Sequence, residues 1–421
     1  MPPTAPSPSL LGDLRALPRA FWILFAGSFI NRFGTFVWPF LAIYLTRQGY
    51  SLTSASFAVS AFAVGSLCGG LTGGWLADHF GRRNTIVLGT FLSAGSFMLL
   101  YTAATLPTIV ACTFLAGLTS GLYHPAIGAL LADIVPPAQR MRGYAAIRAA
   151  SNAGFACGAA TGGVLANYSF FWLFAGDALT TALYGGIALL WLPHGLRAAR
   201  EKTARWGESL RQIAGDRPFL ALWVSAFLAA LVYAQFGSTY SLHIMHAGLS
   251  FEACGFHAGP EMVFGLLAGW NGAFVMLGEL PLTTATMRFD PRRVLALGYV
   301  LVGAGFAMNA LAHSIFALWL AMTIFTIGEM LTATMTSAQV ARFAPERMRG
   351  RYVGALGLSW NSAGIVGPLI GFRLLAYDPL LVWLMCGLLG LAAAFTVWRF
   401  GRPKEQPLLP GEHRAPSPAS I

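Results

Sequence analysis

Four charged residues stand inside stretches that are otherwise apolar. Arg32 lies near the middle of FINRFGTFVWPF and Glu329 near the middle of IGEMLTATM, while Glu279 and Arg148 lie in two further apolar stretches. A charge at the centre of a membrane helix costs about 2.5–3.5 kcal/mol on insertion scales. Such a residue therefore points to binding, to proton transfer or to pairing with an opposite charge. Glu329 is the first candidate for a protonatable group and Glu279 the second. The competing reading is a structural tie between acid and arginine, or between acid and backbone. A different cluster occupies residues 73–84, GGWLADHFGRRN, where an Asp, a His and two Arg fill a short gap between apolar stretches. Asp78 closes a helix, where the macrodipole disfavours an anion, so a nearby cation or another helix's amino end must offset it. Gly74 is expected to permit close helix approach and Gly81 a tight reversal, while Arg82 and Arg83 suit acids or lipid phosphates. Asp177 is expected to cap or pair locally. His243 and His246 are spaced i, i+3 with only His257 as a further ligand, too few for a metal site.

The elements that must hold these residues are membrane helices. The 421-residue chain is 56% hydrophobic and only 10% charged, against about 25% charged for soluble domains. Twelve stretches are long and apolar enough to span a bilayer: 20–45, 54–77, 85–103, 108–133, 143–166, 171–192, 218–246, 263–286, 294–312, 315–341, 352–375 and 379–398. Runs such as Phe97–Tyr101 do not alternate apolar with polar, which excludes a β-barrel. The chain divides into a tail (1–19), a six-helix bundle (20–192), a basic linker (193–217), a second six-helix bundle (218–398) and a second tail (399–421). All Lys and Arg except Arg32, Arg47, Arg148 and Arg373 fall on one side of this arrangement. That asymmetry places both termini in the cytoplasm and explains the net charge of +11 without a nucleic-acid partner. The five cysteines are scattered and suggest neither a disulfide nor a metal framework.

The halves repeat. Asn152, Gly158 and Gly162 recur at one constant offset as Asn361, Gly367 and Gly371, and Phe80 and Pro136 recur at the same offset as Phe289 and Pro345. Six spans per half give the two copies the same orientation, related by an axis along the membrane normal.

Gly74, Leu76, Asp78, Gly81, Arg82 and Arg83 resemble the G-x-L-x-D-x-x-G-R-R/K signature of the major facilitator superfamily, and the resemblance extends over nearly the whole chain. The second copy is degenerate, with Met287 where Asp78 stands. The resemblance implies an all-α fold of twelve helices in two parallel six-helix repeats around a central cavity. It implies a conformational latch of Gly74, Asp78, Gly81, Arg82, Arg83 and Asp133 that holds the outward-open form. It also implies that spans one, four, seven and ten line the cavity, which brings Asn31, Arg32, His124, Tyr233 and Gln235 there, with Arg148 and Asn271 from spans five and eight. Gly154, Gly158 and Gly162 resemble the family's antiporter signature, with Ala159 in place of its Pro, and Gly367, Pro368 and Gly371 match it in span eleven. Their plain reading is tight helix packing. Thr113 stands where drug exporters often carry an Arg, a second departure from the antiporter pattern.

The resemblance, strongest to bacterial multidrug-type drug:proton antiporters, implies a monomeric transporter of the bacterial inner membrane, without cofactor or metal. It would export a small organic compound, amphipathic or cationic, against protons by alternating access. The alternative is a proton-coupled or facilitative importer of a sugar, amino acid or peptide. No phosphate-binding loop and no clustered His, Cys or paired acids suggest an ATPase or a membrane enzyme.

Overall fold

A computed structural model describes residues 17–195, 206–253, 256–345 and 348–402. The first half contains span one as two helices, Arg19–Phe33 and Val37–Arg47, then span two (Leu52–Phe80), span three (Arg82–Thr102), span four (Leu106–Ile134), span five (Arg140–Tyr168) and span six (Phe170–Trp191). A short helix, Trp206–Gly215, precedes the second half. There, span seven is again two helices, Arg217–Phe236 and Thr239–His246. Spans eight to twelve are Pro260–Thr286, Pro291–Ala307, Ile315–Phe343, Arg349–Tyr377 and Pro379–Phe400. Residues 196–205 of the basic linker and most of both tails lie outside the described residues.

Sequence sets where the spans begin. Pro stands in the first turn of spans four, seven, eight, nine and twelve, where its missing N–H is no loss. Side chains accept from free N–H groups at two of these starts and at two others: Asp216 from Phe219 and Asp378 from Leu380, Ser51 from Ser54 and Ser314 from Ala317. Large apolar side chains such as Leu71, Leu190, Leu277 and Leu388 point outward, each 67–69% exposed. In water this belt would drive aggregation, and in lipid it costs nothing.

The helices pack in a pattern that repeats after six spans. In the first half, span one packs on spans five and six, span four on spans two and three, and span three on span six. In the second half, span seven packs on spans eleven and twelve, span ten on spans eight and nine, and span nine on span twelve. The halves meet through spans five and eight and through spans two and eleven, a pair of seams that the same operation interchanges. The duplication seen in sequence is therefore a duplication of packing.

Two features depart from the sequence reading. Span seven, expected as one stretch, is broken at Gly237, as span one is at Gly34. Both glycines have nearly the same backbone, φ −79°, ψ 0° and φ −85°, ψ 1°. The loop before span eight contains an antiparallel pair of short strands, β1 (Phe251–Ala253) and β2 (Phe256–Ala258), with Phe251 opposite Ala258.

Candidate functional site

The face that carries the ends of the described chain also carries the signature loop. Gly81 has φ +98°, a conformation that L side chains rarely adopt, so it makes the reversal between spans two and three. Arg82 makes an ion pair with Asp133 at the end of span four, and its Nη1 donates to the Ala129 carbonyl at 2.7 Å. Arg83 meets His194 of the loop after span six, at 2.6 Å. Asp78 is exposed and makes no hydrogen bond or ion pair with any described residue. So Arg82 and Asp133 come together within the first half, and Asp78 stands apart. Gly74 does not mediate close approach, because a Cβ there would meet only open space. The residue beside it, Gly73, lies against the backbone of Leu122 on span four. One residue turns a helix face by about 100°, which is the whole of that error.

On the opposite face the seam is shut. Arg47, at the end of span one, donates through Nε and Nη2 to Glu261 Oε1 of span eight at 3.1 and 2.5 Å. Phe40 packs edge-on against Phe264, 5.2 Å between centroids, and Gly163 lies against the backbone of Gly265. Near mid-span, Ser60 Oγ donates to the Ile365 carbonyl at 2.8 Å. Toward the terminal face, Gly70 and Gly74 of span two and Gly354 and Gly357 of span eleven face open space. The described contacts that join spans two and eleven thus lie near mid-span, and those of spans one and eight at the far face.

Within itself, the first half walls a cavity of about 200 Å³. Asn31, Arg32, Thr35 and Trp38 line it from span one, Phe62 and Ser66 from span two, and Tyr123 and His124 from span four. Arg32 is held there by the break. Gly154 and Gly158 let span five press against Phe29, the Arg32 Cβ and Phe33. The second half of the broken helix then starts under a cap from span six. Asp177, 3% exposed, accepts from the N–H groups of Phe36 and Val37 at 3.1 and 3.0 Å and from Thr181. That satisfies two amides that would otherwise be orphaned. The Arg32 guanidinium makes no hydrogen bond or ion pair with any described residue. Asn31 is nearly buried, and its Oδ1 accepts from Tyr123 Oη at 3.4 Å.

The second half holds the acids. Asn271 of span eight donates through Nδ2 to Glu329 Oε2 at 2.7 Å and to Thr326 at 2.9 Å. Glu279 forms an ion pair with Arg148 of span five at 2.6 Å, across the seam between the halves. Glu329 stands within electrostatic reach of that pair. Tyr233 Oη meets Thr332 Oγ1 at 3.1 Å, and its ring packs against Trp360 and Phe325 beside a second cavity of about 130 Å³.

Gln235 is a correction. It was expected in the cavity, but it is fully buried. Its amide donates to the carbonyls of Leu231 and Gly367 at 2.9 and 3.2 Å and accepts from Thr239 at 2.9 Å. Gly367 and Gly371 leave the room it fills, so they pack span eleven on span seven, while Pro368 sits within the helix beside them. On the first-half side, Gly162 fits against the Phe36 and Phe40 rings. Trp38, Phe62 and Tyr123 escaped sequence reading. An unbroken helix turns Trp38 away from Arg32, and only the break returns it to the same cavity. No group of three or more His, Cys, Asp or Glu that could hold a metal occurs among the described residues.

The sequence model of the Major Facilitator Superfamily matches residues 24–270 and 255–421. The chain is similar to a Na(+), Li(+), K(+)/H(+) antiporter of Planococcus maritimus, 26% identical over 81% of this chain and 86% of the relative. It is similar to multidrug resistance protein MdtH of Aeromonas hydrophila, 26% identical over 88% of this chain and 92% of the relative. Its fold matches the crystal structure of a POT family transporter in complex with 5-aminolevulinic acid, with a TM-score of 0.74 at 17% identity over 93% and 96% of the two chains. With twelve spans in two parallel repeats, the chain is a multi-pass membrane protein that belongs to the major facilitator superfamily, a family of transporters.

Proposed function

We propose that the protein exports a small organic compound in exchange for protons, by alternating access, from the cytoplasmic membrane of a bacterium and as a monomer. The observation that carries this reading is the setting of Glu329. It sits deep in span ten, its hydrogen-bond donor is the neutral Asn271 amide, and no arginine is fixed to it. A carboxyl so placed can lose and regain a proton without breaking an ion pair. Glu279, bound to Arg148, would have to give up its partner first. Glu329 is therefore the proton carrier, and the Arg148–Glu279 pair is a tie across the seam that senses its charge.

The terminal face is the cytoplasmic one in this reading, by the bias of Lys and Arg toward it. With the far seam shut, the molecule is then read as the inward-open form. The solitary Asp78 fits a latch that has released, since its role is to close this face in the other state. The names of the two relatives, an antiporter and a multidrug resistance protein, support exchange and efflux.

The test uses inside-out vesicles containing the protein, an inward-acid proton gradient, and a panel of cationic, neutral and anionic aromatic compounds, with and without an ionophore. The expected result is uptake that the ionophore abolishes and that empty vesicles lack. Uptake driven only by the compound's own gradient, or proton-driven movement in the opposite direction, would replace export with facilitated or coupled import.

A further inference from the structure

The first-half cavity combines features that together select a ligand. Two oppositely ionisable side chains line it, Arg32 and Asp177, and Asp177 is already engaged by the Phe36 and Val37 amides. The other carboxylates at membrane depth among the described residues are engaged as well: Glu279 by Arg148, Glu329 by Asn271 and Glu261 by Arg47. The Arg32 guanidinium has no partner among the described residues, and it is exposed into the cavity, where a cation at membrane depth is costly. A guanidinium cannot discharge itself by losing a proton and offers a fork of five N–H donors. What satisfies it must come from outside, and a planar carboxylate matches its fork with two parallel hydrogen bonds.

The rest of the wall fits an apolar, flat body. Trp38 and Phe62 stack with centroids 4.7 Å apart and planes 28° from parallel, and Phe97 closes the same space. The hydroxyls there are largely committed, Tyr123 to Asn31 and Ser120 to Ser93. At about 200 Å³ the space is smaller than the roughly 300–1,000 Å³ of sites that take drug-sized ligands. It suits one ring.

We propose that Arg32, with the Trp38, Phe62 and Phe97 rings, binds a small aromatic monocarboxylate, and that this is the substrate class the transporter carries, an inference that rests on the transport reading above. The amphipathic or cationic compound expected from sequence is thereby narrowed to an amphipathic anion. A cation would meet Arg32 with like charge and find no free carboxylate on this wall.

Isothermal titration of the full-length protein in detergent, with benzoate, benzylamine and benzyl alcohol as probes, decides the matter. Benzoate is expected to bind at least about tenfold more tightly than the other two. Arg32→Gln should weaken benzoate by about tenfold or more, as loss of a charge-assisted pair does, while Arg32→Lys keeps part of the affinity. Gln235→Ala should leave benzoate binding unchanged. The melting temperature of each variant reports its folding separately. Benzylamine binding as tightly as benzoate, benzoate binding that Arg32→Gln leaves intact, or no benzoate binding at all would overturn the assignment. Proton-driven uptake of another compound without benzoate binding would sink the carboxylate class and leave the transport reading standing. Benzoate binding without proton-driven movement of any compound would do the reverse.

Discussion

Arg32 and Gln235 occupy equivalent places in the two halves and do opposite things. Each stands two residues before the glycine that breaks the first span of its half, and each faces the small-residue stripe of that half's fifth span. Gln235 turns inward and spends its amide on backbone carbonyls, whereas Arg32 reaches the cavity and finds nothing. The duplicated fold supplies the position, the break and the glycine socket. The side chain placed there decides whether the position packs helices or presents a charge. The same contrast runs through the halves as a whole. The first keeps an unpaired cation and an aromatic wall, while the second keeps three acids, Glu261 and Glu279 tied across the seam and Glu329 held only by an amide.

The largest effect expected from breaking this comparison is at Asp177, which supports the break in span one. Span twelve has no acid between Pro379 and Phe400, so the second half manages its break without such a cap. Asp177→Ala leaves two buried N–H groups without an acceptor and should cost about 2–4 kcal/mol, read as a lower melting temperature in detergent. Asp177→Asn, which keeps one acceptor oxygen, should cost less. Equal melting of wild type and Asp177→Ala would mean that the cap is dispensable.

Next come the glycine sockets. Gly158→Ala pushes a methyl against the Phe33 carbonyl, and about 1–3 kcal/mol is expected. Gly74→Ala, whose Cβ enters open space, should stay within about 0.5 kcal/mol. Gln235→Ala should cost about 1 kcal/mol and leave ligand affinity alone. Arg32→Gln should not lower the melting temperature at all, because it removes an uncompensated charge from membrane depth. Opposite signs of these two substitutions in the same melting assay would sharpen the comparison, and equal losses would erase it.

The smallest effect lies outside the membrane, at Asp290 before span nine. Burial alone would raise this carboxyl, but the backbone N–H and guanidinium of Arg292 and the charge of Arg293 outweigh that and hold it below its usual range. A carboxyl depressed on folding contributes stability above its unfolded pKa and loses it as pH falls through the folded value. Asp290→Asn should therefore melt slightly below wild type at neutral pH. The gap should close as the pH is taken below about 4, and a gap that persists there would contradict the pairing.

Much of this was legible in the sequence. Span five, Arg140–Tyr168, is not among the helices apolar enough to qualify as spans on composition alone, since it carries Arg140, Arg142 and Arg148 and a run of small and polar residues. It still reads as an apolar stretch, 143–166, and Asn152, Gly158 and Gly162 recurring in span eleven support that place. The Arg148–Glu279 pair was foreshadowed by equal depth in two spans. The breaks were not read, although both carry the same mark, Phe33-Gly34-Thr35 and Phe236-Gly237-Ser238. Single glycines are common in membrane helices, and only their duplication singles these two out. Gln235 was misplaced because polarity says that a side chain needs a partner, not whether that partner is a ligand or a backbone carbonyl.

One measurement tests the division of labour between the halves most directly. It compares substrate exchange at equal pH with accumulation driven by a proton gradient, in vesicles of wild type, Glu329→Gln and Arg32→Gln, using radiolabelled benzoate. Glu329→Gln is expected to exchange benzoate at near wild-type rates but to accumulate none, because the cavity is intact and the proton site is gone. Arg32→Gln is expected to fail at both. Gradient-driven accumulation by Glu329→Gln, or exchange by Arg32→Gln at the wild-type rate, would contradict the account.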